Sequence, residues 1–248
     1  MPSFAKSTSD AMPAMLEVSQ LDAFYGKSHV LHAIDLRVAA GESVALLGRN
    51  GAGKSTFLKT LLNAGPRGSG EIALDGRAFS TEPTHVRARR GLALVPEDRR
   101  IFSKLTVAQN IEMGGHAAAD GKPCYSLAEI VALLPMVGPL VDRLGYQLSG
   151  GQQQMVAIAR GIVSRPKVLM LDEPAEGLAP VIVDELGDAI NRIRRSEGTA
   201  MIITEQNLDF ARETSDRLYL LDVGEVVFGG SWAEFDDRPD LIDRYLAL

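Results

Sequence analysis

The sequence of 248 residues contains a single cysteine, Cys124, so no disulfide can form within the chain. An unpaired thiol of this kind is typical of proteins in a reducing compartment. The sequence also lacks any run of about 18 apolar residues, and we therefore expect no segment to cross a membrane. Residues 1–13 carry one lysine and no long apolar core, which argues against a secretory signal and predicts a flexible tail.

An excess of basic residues is lacking as well. The chain has 26 Lys and Arg against 32 Asp and Glu, a formal net charge of −6, which argues against an electrostatic nucleic-acid partner. One local basic cluster is expected to be a solvated helix edge or loop, and its members are Arg87, Arg89, Arg90, Arg99 and Arg100. With 46% apolar and 23% charged residues, the composition is that of an ordinary globular protein.

Short apolar runs alternate with helical patterns along most of the chain. This alternation predicts an α/β fold with a mainly parallel core sheet and helices on both faces. The strands are predicted at 16–25, 30–38, 43–47, 71–74, 92–95, 168–171, 200–204, 218–221 and 226–228. The helices are predicted at 54–62, 149–164, 180–195 and 207–214, and residues 65–70 are predicted to form a turn. Residues 106–144 have a helical pattern broken by Gly and Pro, which predicts an inserted helical subdomain at about 98–163 within a single domain, 14–248.

A glycine-rich loop lies between a predicted strand and a predicted helix. Its sequence fits the phosphate-binding pattern GxxxxGK[ST] and comprises Gly48, Arg49, Asn50, Gly51, Ala52, Gly53, Lys54 and Ser55, with Thr56 following. Glycines allow the backbone amides to point at phosphate oxygens, and the helix N-terminus adds positive potential. Lys54 is expected to reach the β- and γ-phosphates, and Ser55 to offer its hydroxyl to Mg²⁺.

Two adjacent carboxylates, Asp172 and Glu173, end the predicted strand 168–171. The carboxyl ends of strands in open α/β sheets are where such proteins bind ligands. Asp172 suits a second-sphere or water-mediated contact with Mg²⁺. Glu173 suits a general base that orients and deprotonates an attacking water. Two acids ending a surface strand would mean little alone, but the phosphate loop upstream favours the functional interpretation.

The sequence Leu148-Ser149-Gly150-Gly151-Gln152 precedes another helix. Taken with the phosphate loop and Asp172-Glu173, it closely resembles the signature motif of the ATP-binding-cassette (ABC) family, over residues 16–248. The resemblance implies an ABC-type P-loop NTPase with an N-terminal antiparallel β subdomain and the inserted helical subdomain. It implies ATP and Mg²⁺ as cofactors and a head-to-tail dimer. Ser149, Gly150, Gly151 and Gln152 would then close over the ATP of a second subunit.

The resemblance assigns roles to further residues. Tyr25 looks like the aromatic residue that stacks on adenine, although core packing at a strand end is the alternative. Glu97 occupies the position of the family's usual glutamine, near Mg²⁺ or the attacking water. Gln206 occupies the position of the usual switch histidine, where it can donate a hydrogen bond but cannot take up a proton. Glu173 is therefore the expected base, with Lys54 and Gln206 completing the catalytic set.

The glutamate at 97 and the glutamine at 206 resemble one branch of the family. Two longer sequences carry the same resemblance: Val95-Pro-Glu-Asp-Arg-Arg-Ile-Phe102 and Glu176-Gly-Leu-Ala-Pro180. It comprises ATPase subunits of branched-chain or hydrophobic amino-acid importers, with urea and short-amide importers as close relatives. Asp98 departs from the glycine expected there. The branch implies a peripheral subunit on the cytoplasmic face of the bacterial inner membrane. Its partners would be a related or identical ATPase subunit, two integral membrane permeases and a periplasmic or extracellular substrate-binding protein.

Two other functions compete with import. A soluble ABC ATPase in repair, ribosome association or cluster assembly is one, but the single cassette and the lack of a long coiled-coil pattern argue against it. A regulatory module that binds nucleotide without hydrolysing it is the other, and the presence of Glu173 argues against that. The sequence does not name the transported substrate.

Overall fold

The computed structural model describes residues 13–118 and 123–246. The expected tail therefore lies outside the described residues except for Pro13. The strands are β1 (Ala14–Tyr25), β2 (Ser28–Ala39), β3 (Ser43–Leu47), β4 (Arg67–Leu74), β5 (Arg77–Ala78), β6 (Leu92–Val95), β7 (Val168–Asp172), β8 (Ala200–Glu205), β9 (Arg217–Asp222) and β10 (Glu225–Ser231). The α-helices are α1 (Lys54–Leu61), α2 (Thr84–Arg89), α3 (Val107–Gly114), α4 (Leu127–Leu133), α5 (Gly150–Ile162), α6 (Pro180–Glu197), α7 (Leu208–Thr214), α8 (Trp232–Asp236) and α9 (Pro239–Tyr245).

The strands form two sheets. A six-stranded sheet has the order β10-β9-β3-β8-β7-β6, and all its neighbours are parallel except the antiparallel pair β9 and β10. A four-stranded antiparallel sheet has the order β2-β1-β4-β5. The mainly parallel core sheet and the N-terminal antiparallel sheet predicted from the sequence are both confirmed.

The central sheet has apolar side chains on both faces, because successive residues of a strand point to opposite sides. In β7, Val168 and Met170 pack into a core shared with α1 and the four-stranded sheet. Leu169 and Leu171 pack into a second core, shared with α3, α4, α5 and α6. The sheet is therefore buried on both sides, which explains why its strands read as continuous apolar runs.

Among the described residues, every regular element between β6 and β7 is a helix. This segment contains α3, α4 and α5 with short 3-10 turns between them, and the interrupting Gly121 lies outside the described residues. Thr106, Ser126 and Ser149 cap the three helices, each with a capping box. Among the described residues, no helix is both long and apolar enough to span a bilayer.

The turn predicted at 65–70 is wrong from Arg67 onward, because β4 begins there and pairs with β1. The glycines there serve a bulge in the pairing, and a Cβ on Gly70 would lie 2.4 Å from the carbonyl oxygen of Gln20. Glycine in a strand marks such a close approach of backbones. The short helices α2, α8 and α9 were not predicted from the sequence.

The arginine cluster is not wholly a solvated edge either. Arg87 is buried, and its guanidinium donates to the carbonyl oxygens of Leu61, at the end of α1, and of Glu82. Arg99 is half-buried. Arg89 and Arg100 are exposed, as expected.

Candidate functional site

The glycine-rich loop joins the fully buried strand β3 to helix α1. Its two ends require glycine: a Cβ on Gly48 would lie 2.3 Å from the carbonyl oxygen of Leu221, and Gly53 has a φ of 112°, which residues with side chains rarely adopt. Gly51, in the middle, is exposed and has open space around it. The loop is therefore fixed at both ends and open to a ligand between them, which fits a phosphate group.

Lys54 is the first residue of α1, and its side chain is buried. The ammonium Nζ donates to the carbonyl oxygens of Gly48 at 2.6 Å and Arg49 at 3.2 Å. It also lies 3.0 Å from Oε1 of Glu173. The ammonium is thus held at the loop, facing the acidic end of β7.

Asp172 is the last residue of β7 and is buried. Its Oδ1 accepts hydrogen bonds from Oγ of Ser55 and Oγ1 of Thr204, both at 2.9 Å. Burial raises the pKa of Asp172 above its ordinary value, although these hydroxyl groups oppose the shift. A hydroxyl next to a carboxylate is an oxygen donor set that suits Mg²⁺, which is usually bound by one or two carboxylates together with substrate phosphates.

Glu173 has a positive φ of 44°, and its backbone N–H donates to the carbonyl oxygen and Oγ1 of Thr204. Its side chain contacts Lys54 on one oxygen and Gln206 on the other. Burial alone would raise the pKa of Glu173, but the hydrogen bond and charge of Lys54 lower it below its ordinary value. The carboxylate is therefore ionised at neutral pH and able to accept a proton.

Gln206 links the loop to Glu173. Its Nε2 donates to Oε2 of Glu173 at 2.7 Å and to Oδ1 of Asn50 at 2.9 Å. The neighbouring Glu205 is buried and accepts hydrogen bonds from the backbone N–H groups of Ala175, Gln206 and Asn207. Burial raises the pKa of Glu205, while these N–H groups oppose the shift. Glu205 thus ties the segment after Glu173 to the segment that carries Gln206.

Thr204 and Glu205 were missed as site residues. The available signal was their position: 200–204 was predicted as a strand, and the end of a parallel strand beside 168–171 must approach Asp172. In the structure Asp172 pairs with Thr204.

A cavity of about 190 Å³ opens beside the loop, lined by Gly48, Arg49, Asn50, Gln206 and Leu246. Tyr25 lies at the end of β1 and is 45% exposed, so it is not simply a core residue. The next strand, β2, carries Leu31, which packs against Gly53. Tyr25 is therefore an accessible aromatic side chain at the end of a hairpin whose second strand contacts the loop.

Glu97 is exposed two residues beyond β6, and β6 pairs with β7. It forms no hydrogen bond or ion pair within residues 13–118 and 123–246. Its charge nevertheless reaches Glu176. A hydrogen bond with Glu173, burial and repulsion from Glu173, Glu97 and Glu205 raise the pKa of Glu176 to about 7. In the part of the chain that the structure describes, no three His, Cys, Asp or Glu side chains form a ready metal cage.

The motif at Ser149 is separate from this cluster within the chain. Oγ of Ser149 accepts a hydrogen bond from the backbone N–H of Gln152, while Ser149 and Gly150 are exposed. Gly151 packs against Ile182 of α6, where a Cβ would lie 2.7 Å from a methyl carbon. Across the described ranges, no hydrogen bond or ion pair joins Ser149–Gln152 to the loop at 48–55. The structure thus brings Lys54, Ser55, Asp172, Glu173 and Gln206 together and leaves this motif apart.

A strand, glycine loop and helix with a buried lysine, beside an Asp-Glu pair at the end of another parallel strand of the same sheet, define a P-loop nucleoside triphosphatase. Comparison with known proteins narrows the class. The profile of the ABC transporter family matches residues 31–176, and the chain belongs to this family. It is accordingly an ATPase, as the sequence analysis predicted.

Two similar proteins bear the name of branched-chain amino acid transport ATP-binding proteins, which is the branch predicted from the sequence. BraG, the high-affinity branched-chain amino acid transport ATP-binding protein of Pseudomonas aeruginosa, is 38% identical over 94% of this chain and 99% of BraG. LivF of Archaeoglobus fulgidus, a probable branched-chain amino acid transport ATP-binding protein, is 32% identical over 88% of this chain and 92% of its own. The predicted resemblance to this branch is confirmed.

A dimeric ATP-binding cassette, solved in a post-hydrolysis state with ADP and phosphate, has the same fold. The TM-score between the two chains is 0.76 and their sequence identity is 23%. The alignment covers 88% of this chain and 98% of the cassette. The ABC-type fold predicted from the sequence is confirmed.

Proposed function

We propose that the chain is the ATP-hydrolysing subunit of an ABC importer for branched-chain or other hydrophobic amino acids. The similarity to BraG, which extends over 94% of the chain, is the observation that carries this proposal. The departures at Glu97 and Gln206 and the sequence Glu176–Pro180 support the same branch. The proposed domain is 14–248, with 98–163 as the helical insertion.

The phosphate loop would bind the triphosphate of ATP through its backbone amides and Lys54. The residues of this proposed contact are Gly48, Arg49, Asn50, Gly51, Ala52, Gly53, Lys54, Ser55 and Thr56. Tyr25 would stack on the adenine ring, consistent with its exposure at the hairpin end. Ser55, Asp172 and Glu97 would hold Mg²⁺, which neutralises phosphate charge when bound.

Glu173 would orient the attacking water and accept its proton. It is ionised at neutral pH, and its contacts with Lys54 and Gln206 hold it beside the phosphate loop, which supports this role. Gln206 would position the Glu173 carboxylate and hydrogen-bond the γ-phosphate, but its amide takes no proton at neutral pH. Proton transfer therefore rests on Glu173 alone.

ATP would close two subunits head to tail. Ser149, Gly150, Gly151 and Gln152 would contact the γ-phosphate bound to the opposite subunit, because Ser149 and Gly150 are exposed and the motif lies apart from the loop of its own chain. A helix N-terminus with free amides favours such an anion. The second subunit would be a related ATPase or a second copy.

A groove between β6 and the helical insertion offers a docking surface for the permeases. It has a volume of about 390 Å³, and its lining includes the exposed side chains of Phe102 and Met113. We place the subunit on the cytoplasmic face of the bacterial inner membrane, attached through two permeases. The substrate-binding protein would act on the permeases from the other side.

Reconstitution tests the proposal. The chain is co-expressed with the two permeases, the second ATPase subunit and the binding protein of its own operon, and leucine uptake into ATP-loaded proteoliposomes is measured. We expect copurification and ATP-dependent uptake. If the permeases copurify but another solute is transported, the substrate class is overturned. If the chain hydrolyses ATP but neither permease copurifies with it, the import function is overturned.

A further inference from the structure

Arg99 lies against the N-terminus of α5, the helix that Ser149 caps. If Gly150 carried a Cβ, that atom would lie 3.0 Å from Nη1 of Arg99 and 3.7 Å from Cζ. The Cα–Cβ bonds of a helix tilt toward its N-terminus. The guanidinium therefore flanks the first turn of α5 at Gly150.

Contacts with α5 hold Arg99 there. Its Nε donates to Oε1 of Gln154 at 3.2 Å, and Gln154 is 2% exposed. Arg160, farther along the same helix, donates from Nη2 to the carbonyl oxygen of Arg99 and from Nη1 to that of Arg100, both at 2.7 Å. These bonds fix a backbone that is itself unfavourable, because Arg99 and Arg100 have φ values of 57° and 47°.

The charge of Arg99 is unusual for this position. Helix N-termini carry a partial positive charge and are stabilised by anions, yet this one faces a guanidinium. Within the described ranges, Nη1 and Nη2 of Arg99 have no hydrogen-bond or carboxylate partner, and the nearby Asp98 pairs with Arg100 at 3.0 Å. The buried Nε2 of Gln154, which lies beside Arg99, also has no partner. The guanidinium of Arg99 and the N-terminus of α5 are both positive, and both have free donors. Side by side, they favour an anion between them.

We propose that Arg99 binds the γ-phosphate of the ATP held by the opposite subunit, together with the N-terminus of α5. A planar guanidinium with free Nη donors matches two phosphate oxygens at once. The residue lies two positions after Glu97, so one short segment would serve both sites: Glu97 the nucleotide of its own subunit and Arg99 that of the other. This inference rests on the head-to-tail dimer of the proposed function.

The test uses the Glu173→Gln chain, together with its partner ATPase if the two form the dimer. Two quantities are measured: the ATP concentration that half-saturates dimerisation in analytical ultracentrifugation, and the ATP affinity of the monomer at protein concentrations below dimerisation. Adding Arg99→Gln should raise the first about 10- to 100-fold, the loss expected for hydrogen bonds to a charged group, and leave the second unchanged. Arg99→Lys should give a smaller rise, since it keeps the charge without the fork.

Arg100→Gln is the matched control, because Arg100 is exposed and paired with Asp98. We expect it to leave both quantities unchanged. Equal dimerisation with and without Arg99→Gln, or an equal effect of Arg100→Gln, overturns the inference. If Arg99→Gln does not fold, Arg99→Lys serves as the test. An unchanged ATP concentration for half-saturation of dimerisation in Arg99→Lys then overturns the inference. Glu173→Gln that never dimerises with ATP overturns the proposed dimer and this inference with it.

Discussion

Nζ of Lys54 and Oε1 of Glu173 lie 3.0 Å apart, and both side chains are buried. The residue proposed to bind phosphate thus pairs with the residue proposed to accept the proton from water. A triphosphate in the loop would compete with Glu173 for the same ammonium. Binding of ATP would therefore release the Glu173 carboxylate for its catalytic role and leave Gln206 and Glu176 as its remaining side-chain partners.

Replacing Glu173 by glutamine should separate ATP binding from hydrolysis. The amide keeps the size of the side chain but cannot take a proton from water, so hydrolysis should fall about 10²- to 10⁴-fold, the usual contribution of a general base. ATP should bind at least as tightly, because Lys54 no longer has a competing carboxylate. Phosphate release, equilibrium ATP binding and gel filtration measure the three consequences, and the closed dimer should accumulate with ATP.

Glu185→Gln on the exposed face of α6 serves as the control for this change and should hydrolyse ATP normally. Normal phosphate release by Glu173→Gln, with only monomer present in ATP, would contradict the assignment of Glu173.

Replacing Lys54 by alanine should abolish ATP binding or turnover, because it removes the ammonium that is held at the loop. It also leaves Glu173 buried without its ammonium partner, and breaking a buried ion pair from one side destabilises a protein by about 3–5 kcal/mol. The melting temperature should therefore fall along with ATP binding. Lys59→Ala, on the same helix, is the matched control. Near-normal hydrolysis by Lys54→Ala would refute the phosphate assignment.

Much of this architecture could be predicted from the sequence because its signals are local. The order of buried strands and the glycine spacing of the loop predicted both the sheet and the position of Lys54. What could not be predicted depends on partners far apart in the chain. The strand at Arg67 forms because β1 pairs with it, and Arg87 is buried because it binds the end of α1. Arg99 belongs to the same group, since its neighbour Gln154 lies 55 residues away.

Replacing Gln206 by alanine should lower turnover less than Glu173→Gln does. Gln206 donates to Glu173 and Asn50, so its loss misplaces the base without removing it. One hydrogen bond to a charged group corresponds to a loss of about 10-fold or somewhat more in rate. Steady-state kcat for the two variants, measured side by side, provides the comparison. A loss in Gln206→Ala as large as that in Glu173→Gln would assign Gln206 a direct part in the chemistry.

Replacing Tyr25 by alanine should raise the KM for ATP with little change in kcat. Stacking of a base on an aromatic ring contributes about 1–3 kcal/mol, so the KM should rise roughly 5- to 100-fold. Tyr25→Phe keeps the ring and should behave like the natural chain. Titration with ATP and with inorganic triphosphate tests whether Tyr25 acts on the base. The triphosphate lacks the base, so it should bind the natural chain and Tyr25→Ala equally. An unchanged KM in Tyr25→Ala would exclude adenine stacking.

The pair Glu173 and Glu176 should make stability depend on pH in a direction that can be worked out. The pKa of Glu176 rises from 4.5 to about 7, chiefly through its hydrogen bond with Glu173. Between these two values the folded chain keeps a proton that the unfolded chain has lost. Glu176 therefore makes the free energy of unfolding fall as the pH rises from 4.5 to about 7, with little further change above that range.

Glu176→Gln tests this linkage, since its amide can donate to Glu173 at every pH. Urea unfolding of both proteins at intervals from pH 4.5 to 8.5 gives the difference in stability, in which titrations common to both cancel. Relative to the natural chain, the variant should become progressively more stable up to about pH 7, and the difference should then level off. Parallel curves across the whole range would show that Glu176 does not share a proton with Glu173, and that Glu173 depends on Lys54 and Gln206 alone for its position.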